Sequence, residues 1–155
     1  MIGTTEFTIE KKTYTIPADR SYDRESHMWA RFDPARNQVT IGIDVLGLTA
    51  LGDLAYVTLA DVGTTVNRGK SFGTLEAAKM TGNLSTPVSG QIVARNESAI
   101  TNPALVNQDP YQAGWLVVLE PTDWQAESAQ LVSGEAMPAW VDSELTRYRQ
   151  QGWVD

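Results

Sequence analysis

Ser71-Phe-Gly-Thr-Leu-Glu-Ala-Ala-Lys79-Met-Thr-Gly-Asn-Leu-Ser-Thr-Pro-Val-Ser-Gly90 reads as a β-hairpin that carries one lysine at its tip. Phe72, Leu75 and Ala77-Ala78 belong to an extended, partly buried run, and Thr81-Gly82-Asn83 offers the small polar residues that a tight reversal uses. The chain is therefore expected to turn at 81–83, with Leu84 opening the returning strand. Pro87 has no backbone N–H to give and suits a sheet edge or strand start, and Ser89-Gly90 permits a further bend. The arrangement presents Lys79 to solvent.

The composition bounds what such a lysine can serve. At 155 residues the chain is long enough to bury a core without covalent staples. A net charge of −7 argues against nucleic acid, whose phosphates need clustered Lys and Arg. With no cysteine there is no disulfide, no thiolate metal site and no thiol nucleophile, so redox chemistry has to come from something attached. No apolar run approaches the roughly 20 residues that span a bilayer. The N-terminus lacks a basic region followed by an apolar stretch. A cytoplasmic protein without a membrane partner is expected.

Outward from the hairpin, the pattern is mainly β. Residues 6–16 alternate apolar and polar with β-branched side chains, as a strand or hairpin arm does. Residues 27–32 and 38–43 form strands joined by the loop Asp33-Pro-Ala-Arg-Asn37. Asp44 can cap a short helix over 44–51 that Gly52 stops, and Leu54 to Leu59 returns to strand alternation. Beyond the hairpin come a strand at 91–95, a loop, a turn of helix with Pro103 at its first position, and a last strand at 114–119. Val66-Asn67 and Val106-Asn107 lie forty residues apart and suggest two related, back-to-back halves.

The tail differs in character. Thr122-Asp-Trp-Gln125 has capping-box spacing before a helix over 126–132, and Pro138 opens a second helix whose Trp140, Val141, Leu145 and Tyr148 form an apolar stripe. The expected division is a β domain at 1–120 and a helical extension at 121–155 packed on it as a clasp.

Few residues compete with Lys79 for a functional role. Of the four lysines (Lys11, Lys12, Lys70 and Lys79), only Lys79 is read as lying between two strands with small or apolar neighbours. His27, the sole histidine, sits beside Trp29 in a strand and reads as a satisfied structural group with no metal cluster around it. No Ser/His/Asp set is evident, and a hairpin tip lacks the burial that lowers a Schiff-base lysine's pKa. No catalytic residue is therefore assigned.

The residues around Lys79, namely Gly73, Glu76, Pro87, Ser89 and Gly90, resemble the modification hairpins of lipoyl and biotinyl carrier domains. Leu51-Gly-Asp-Leu-Ala-Tyr-Val-Thr-Leu59, Val62-Gly63, Pro87-Val-Ser-Gly90 and Asn102-Pro-Ala-Leu-Val-Asn-Gln-Asp-Pro-Tyr111 followed by Gly114-Trp-Leu116 resemble the H protein of the glycine cleavage system. Biotin carriers usually have Met on both sides of the lysine and lack the Asn-Pro…Asp-Pro-Tyr segment, so biotin is the lesser reading. The resemblance implies a barrel-sandwich hybrid of two small antiparallel sheets and an amide between Lys79 and lipoic acid. It also implies a carrier, not an enzyme, with Glu76 as a recognition residue for the lipoate ligase or lipoyltransferase.

Lipoate brings a dithiolane that opens on reduction and accepts a group, while the protein supplies delivery. The neutral segment Met80-Thr-Gly-Asn83 and the long tail look more like the H-like lipoate-binding proteins of heterodisulfide-reductase-like sulfur oxidation, and that branch is favoured. The alternatives are a glycine cleavage H protein carrying the aminomethyl group and an unmodified H-like interaction module. The partners implied are a heterodisulfide-reductase-like complex and dihydrolipoyl dehydrogenase, or glycine decarboxylase and aminomethyltransferase.

Overall fold

The computed structural model describes residues 4–154. Eleven strands are seen among them: β1 (Thr5–Ile9), β2 (Lys12–Ile16), β3 (Ser21–Tyr22), β4 (Met28–Asp33), β5 (Gln38–Ile43), β6 (Leu54–Leu59), β7 (Thr65–Val66), β8 (Ser71–Ala77), β9 (Thr81–Ser85), β10 (Gly90–Arg95) and β11 (Val117–Pro121). The helices are α1 (Val45–Leu51), α2 (Glu97–Thr101), α3 (Ala104–Gln108), α4 (Trp124–Ser128) and α5 (Met137–Gln150), with a 3-10 turn at Gly134–Ala136. Two antiparallel sheets enclose the main core: six strands in the order β3-β4-β5-β11-β10-β7, and three in the order β6-β8-β9. The hairpin β1-β2 is a third sheet, beyond the two expected.

The core between the large sheets is built from the inward positions of each strand. Val39, Ile41 and Ile43 of β5, Val57 and Leu59 of β6, Phe72 and Leu75 of β8, Leu84 of β9 and Leu119 of β11 are all buried in one cluster. Phe72 and Leu75 are three residues apart, which strict alternation would put on opposite faces. A bulge resolves this, because Ser71 pairs with Ser85 and Gly73 with Leu84, leaving Phe72 as the extra residue. From there on Leu75 points inward and Glu76 outward.

Close approach of β6 and β8 depends on Gly73. A Cβ there would press into the backbone carbonyl oxygen of Thr58, which has no freedom to swing aside. Gly73→Ala is expected to cost about 1–3 kcal/mol through overpacking, read as a lower urea midpoint with an unchanged slope.

A second buried cluster joins the two ends of the chain. Phe7, Ile9 and Ile16 of the first hairpin meet Trp140, Val141, Leu145 and Tyr148 of α5, with Tyr22, Trp29 and Leu46 between them. The apolar stripe of α5 thus covers the N-terminal hairpin and the flank of α1. Backbone bonds between Tyr22 and Val132 tie the tail to the edge of the six-stranded sheet.

Several local expectations are corrected. Pro103 occupies the cap position before Ala104, and the segment read as a loop holds α2, capped by Asn96 through its bond from the Ser98 N–H. The cap of α4 is Asp123, whose side chain accepts from the Ala126 N–H, not Thr122, and the helix spans five residues only. The forty-residue repeat has no structural counterpart, since Val66 ends strand β7 and Val106 lies in helix α3. Among the described residues no helix is long and apolar enough to cross a membrane.

Candidate functional site

The reversal lies at Ala78-Lys79, three residues before the expected place. The Ala77 N–H donates to the Met80 carbonyl at 2.9 Å, and Glu76 pairs with Thr81, so Thr81-Gly82-Asn83 belongs to β9. Neither Ala78 nor Lys79 has a left-handed φ, and no glycine is used in the turn. The tip is held from outside instead. The Ala78 N–H donates to the Asp53 carbonyl at 2.9 Å and the Lys79 N–H to the Leu51 carbonyl at 3.1 Å. Tertiary bonds take the donors that local turn chemistry would otherwise satisfy.

The partner of the tip is the short connection from α1 to β6, and its shape has two causes. Asp44 caps α1 by accepting from the Gly47 N–H at 2.7 Å, and Gly52 ends it at φ +78°. A side chain at Gly52 would also meet the Cβ of Ala78 at 3.3 Å and the Cγ of Lys79 at 3.5 Å, so the position favours glycine twice over. Asn107 of α3 then braces the connection, donating to the Gly52 carbonyl at 3.0 Å and accepting from the Leu54 N–H at 2.9 Å. In the sequence Asn107 figured in the repeat and in the Asn102–Tyr111 resemblance, with no bracing role assigned to it. Its place in Asn-Gln-Asp-Pro-Tyr, where a side-chain amide offers both donor and acceptor, was the available signal. Tyr111 adds a second tie, its hydroxyl accepting from the Val45 N–H at 2.9 Å.

The Lys79 side chain is exposed, and its Nζ donates to the carbonyls of Thr49 at 3.0 Å and Trp153 at 3.3 Å. It borders a groove of about 660 Å³ whose walls include Tyr14, Thr49, Asp53, Asn107 and Val154. A smaller cavity of about 250 Å³ lies beyond the tip, lined by Leu51, Leu75, Met80 and Tyr148 among others, and Trp153 stands in the walls of both. Glu76 is exposed on the outer face of the three-stranded sheet, in one cross-strand row with Tyr56 and Thr81. Tyr56 is 67% exposed in that row. The structure brings Glu76 and Lys79 to the same end of the sheet without any bond between them.

Lys79 is not alone on a hairpin turn. Lys11 occupies the reversal between β1 and β2 with φ +68°, a correction to the reading that singled out Lys79 by its place between strands. What separates the two is the support, since the tip at Lys79 is tied to α1 and β6.

His27 is structural in a stronger sense than expected. It is buried at the start of β4 with a left-handed φ of +59°. Its Nδ1 lies 3.0 Å from Asp44 Oδ2 and its Nε2 lies 2.6 Å from Glu144 Oε1, while the ring stacks on Trp140 at 5.1 Å. Arg147 closes the network by donating to both oxygens of Glu144. Burial alone would lower the imidazole pKa, but the two carboxylates outweigh it and raise it to about 9. Burial likewise opposes ionisation of Glu144, and its bonds from His27 and Arg147 overcome this, holding its carboxyl down at about 2. The imidazolium therefore donates from both nitrogens and links β4, α1 and α5.

The tryptophans pack rather than present open rings. Trp124 stacks on Phe32 at 5.0 Å, and Trp153 lies against Tyr148 at 5.4 Å. Among the described residues no group of three or more His, Cys, Asp or Glu could hold a metal ion.

Comparison with known proteins places this geometry. The family described as Glycine cleavage H-protein matches residues 20–144. The glycine cleavage system H protein of Myxococcus xanthus is 44% identical over 108 residues, covering 70% of this chain and 81% of the relative. The mitochondrial glycine cleavage system H protein 2 of Arabidopsis thaliana is 38% identical over 124 residues, covering 80% of this chain and 78% of the relative. The crystal structure of a glycine cleavage system H protein from Mycobacterium marinum superposes with a TM-score of 0.71 at 38% identity, covering 83% of this chain and 99% of that one. These relatives are glycine cleavage H proteins and back the glycine cleavage alternative better than the favoured sulfur-oxidation branch. The long tail that had suggested otherwise falls largely inside the family match, which runs through α5 to Glu144. A mainly β scaffold with a C-terminal helix, a tip lysine and these relatives lead to one conclusion: the chain belongs to the glycine cleavage H-protein family, whose members are non-catalytic carriers of a lipoyl group on a lysine.

Proposed function

We propose that this chain is a lipoyl carrier of the glycine cleavage type, with the arm in amide linkage to Lys79 and an aminomethyl group as its cargo. The observation that carries the reading is the braced tip. A primary amine stands on an exposed reversal whose backbone is tied to Leu51 and Asp53, so a modifying enzyme meets a lysine of defined position with an exposed side chain. The residues present fit the group. Among the described residues Nζ bonds carbonyl oxygens and no carboxylate holds it in an ion pair, and open grooves lie on either side of the tip.

When bound, the lipoyl group supplies the dithiol chemistry that the cysteine-free chain lacks. The chain itself orients the attachment point through Asn107, Gly52 and the α1 carbonyls. Tethering raises the local concentration of the arm at a docked enzyme. Glu76, exposed at the same end of the sheet, serves recognition by the lipoate ligase or lipoyltransferase. Glycine decarboxylase, aminomethyltransferase and dihydrolipoyl dehydrogenase are the partners of this reading.

The test is a reconstitution. Chain produced with an active ligase and lipoate is expected to show a single lipoyl increment in its intact mass, mapped to the Lys79 peptide, and to support glycine decarboxylase turnover. An unmodified mass would leave an H-like interaction module, and a modified chain that supports no turnover would remove the aminomethyl reading.

A further inference from the structure

The unmodified lysine is folded back on its own chain. Of its two carbonyl partners, Thr49 lies in α1 and Trp153 in the tail that follows α5. That tail turns at Gly152, φ +75°, and is fixed by the Trp153 N–H donating to the Tyr148 carbonyl at 2.9 Å. The Arg147 guanidinium sits 5.4 Å over the Trp153 ring. Trp153 thus stands beside the tip, in the wall shared by the two cavities that flank it.

We infer that the tail segment Gly152 to Val154 is a latch, closed by the charged amine of Lys79 and loosened when that amine is acylated. The inference rests on Lys79 being the attachment site. In the modification an activated lipoyl ester or anhydride gives its acyl carbon to Nζ and loses its leaving group. The ammonium gives up two protons, and the product nitrogen keeps one N–H and no charge. Three donors become one. At most one of the two carbonyls then keeps a partner, and the bond it keeps has lost charge assistance, which makes such bonds roughly twice as strong as neutral ones. Acylation thereby removes donors that hold the tail against the tip. With the tail open, Trp153 leaves the wall between the grooves, and space on the two sides of the tip becomes continuous for the arm. Lipoylation is in this way registered at the C-terminus, some seventy residues along the chain from Lys79.

The test follows Trp153 by NMR in full-length chain labelled with 15N-tryptophan, its signals assigned by their loss in Trp153→Phe. Four samples are compared: unmodified, lipoylated with the increment verified by mass, Lys79→Gln and Lys79→Arg. Hydrogen exchange at the Trp153 amide is expected to be about tenfold faster in the lipoylated chain and in Lys79→Gln, equivalent to about 1.4 kcal/mol. In Lys79→Arg, which keeps a cation with several donors, it is expected to stay within about twofold of the unmodified rate. A lipoylated chain exchanging at the unmodified rate overturns the latch, and so does Lys79→Arg exchanging as fast as Lys79→Gln. Failure to acquire the lipoyl increment would instead remove Lys79 as the attachment site, and the Gln and Arg variants would still decide the latch.

Discussion

Lys79→Arg is expected to abolish lipoylation completely while leaving the free energy of unfolding within about 0.5 kcal/mol of the parent, the range of an ordinary surface substitution. The two halves of this result have separate causes. A guanidinium holds its proton under all working conditions and offers no free electron pair, so it forms no amide with an acyl donor. Its N–H groups can still meet the Thr49 and Trp153 carbonyls. The bonds that shape the tip come from the backbone of Ala78 and Lys79, which the substitution does not touch. Intact mass gives the first half and urea denaturation the second. Surviving label would place the arm on Lys11, Lys12 or Lys70, of which Lys11 also occupies a hairpin turn.

His27→Ala is expected to destabilise the fold by about 3–5 kcal/mol, the cost of breaking a buried ion pair from one side. Asp44 and Glu144 would be left buried without their shared cation, although Glu144 would keep Arg147. The same network sets a pH dependence. The His27 pKa is raised to about 9 in the folded chain, above its ordinary 6.5, so its contribution is complete below about pH 6.5 and is lost as pH rises through 9. The Glu144 pKa is lowered to about 2 from 4.5, so its contribution is complete above pH 4.5 and is lost as pH falls through 2. Stability is therefore expected to peak between about pH 4.5 and 6.5 and to decline toward pH 9 and above. In His27→Ala the alkaline decline should flatten. A parent and variant with parallel alkaline limbs would show that the histidine is neutral in the folded chain.

The elements that were legible in the sequence are those whose causes are local. Asp44, the run to Leu51 and Gly52 contain the whole recipe for α1, from its cap to its stop, and the alternation from Leu54 to Leu59 delimits β6 to the residue. The lysine hairpin was visible for the same reason. Its turning point was not, because Ala78 and Lys79 are bent by carbonyls of Leu51 and Asp53, more than twenty residues upstream. A search for turn residues settles on Gly82, which lies inside β9. The histidine network was equally hidden, since its carboxylates stand 17 and 117 residues from His27. The family's identity was readable from Leu51–Leu59 and Asn102–Leu116, but the choice of branch leaned on a tail and a four-residue segment whose meaning depended on relatives.

The brace from Asn107 through Gly52 to the tip separates support from address. Because the bonds that position the tip run through main-chain atoms of residues 78 and 79, the side chains on either side of the lysine can drift without moving it. Met80 and Glu76, exposed beside the tip, can therefore change without removing the bonds that hold it. The converse holds for transplantation. Grafting residues 71–85 onto a foreign sheet would carry the lysine without its mount, and a portable tip would have to bring the Leu51–Leu54 connection and an Asn107 equivalent with it.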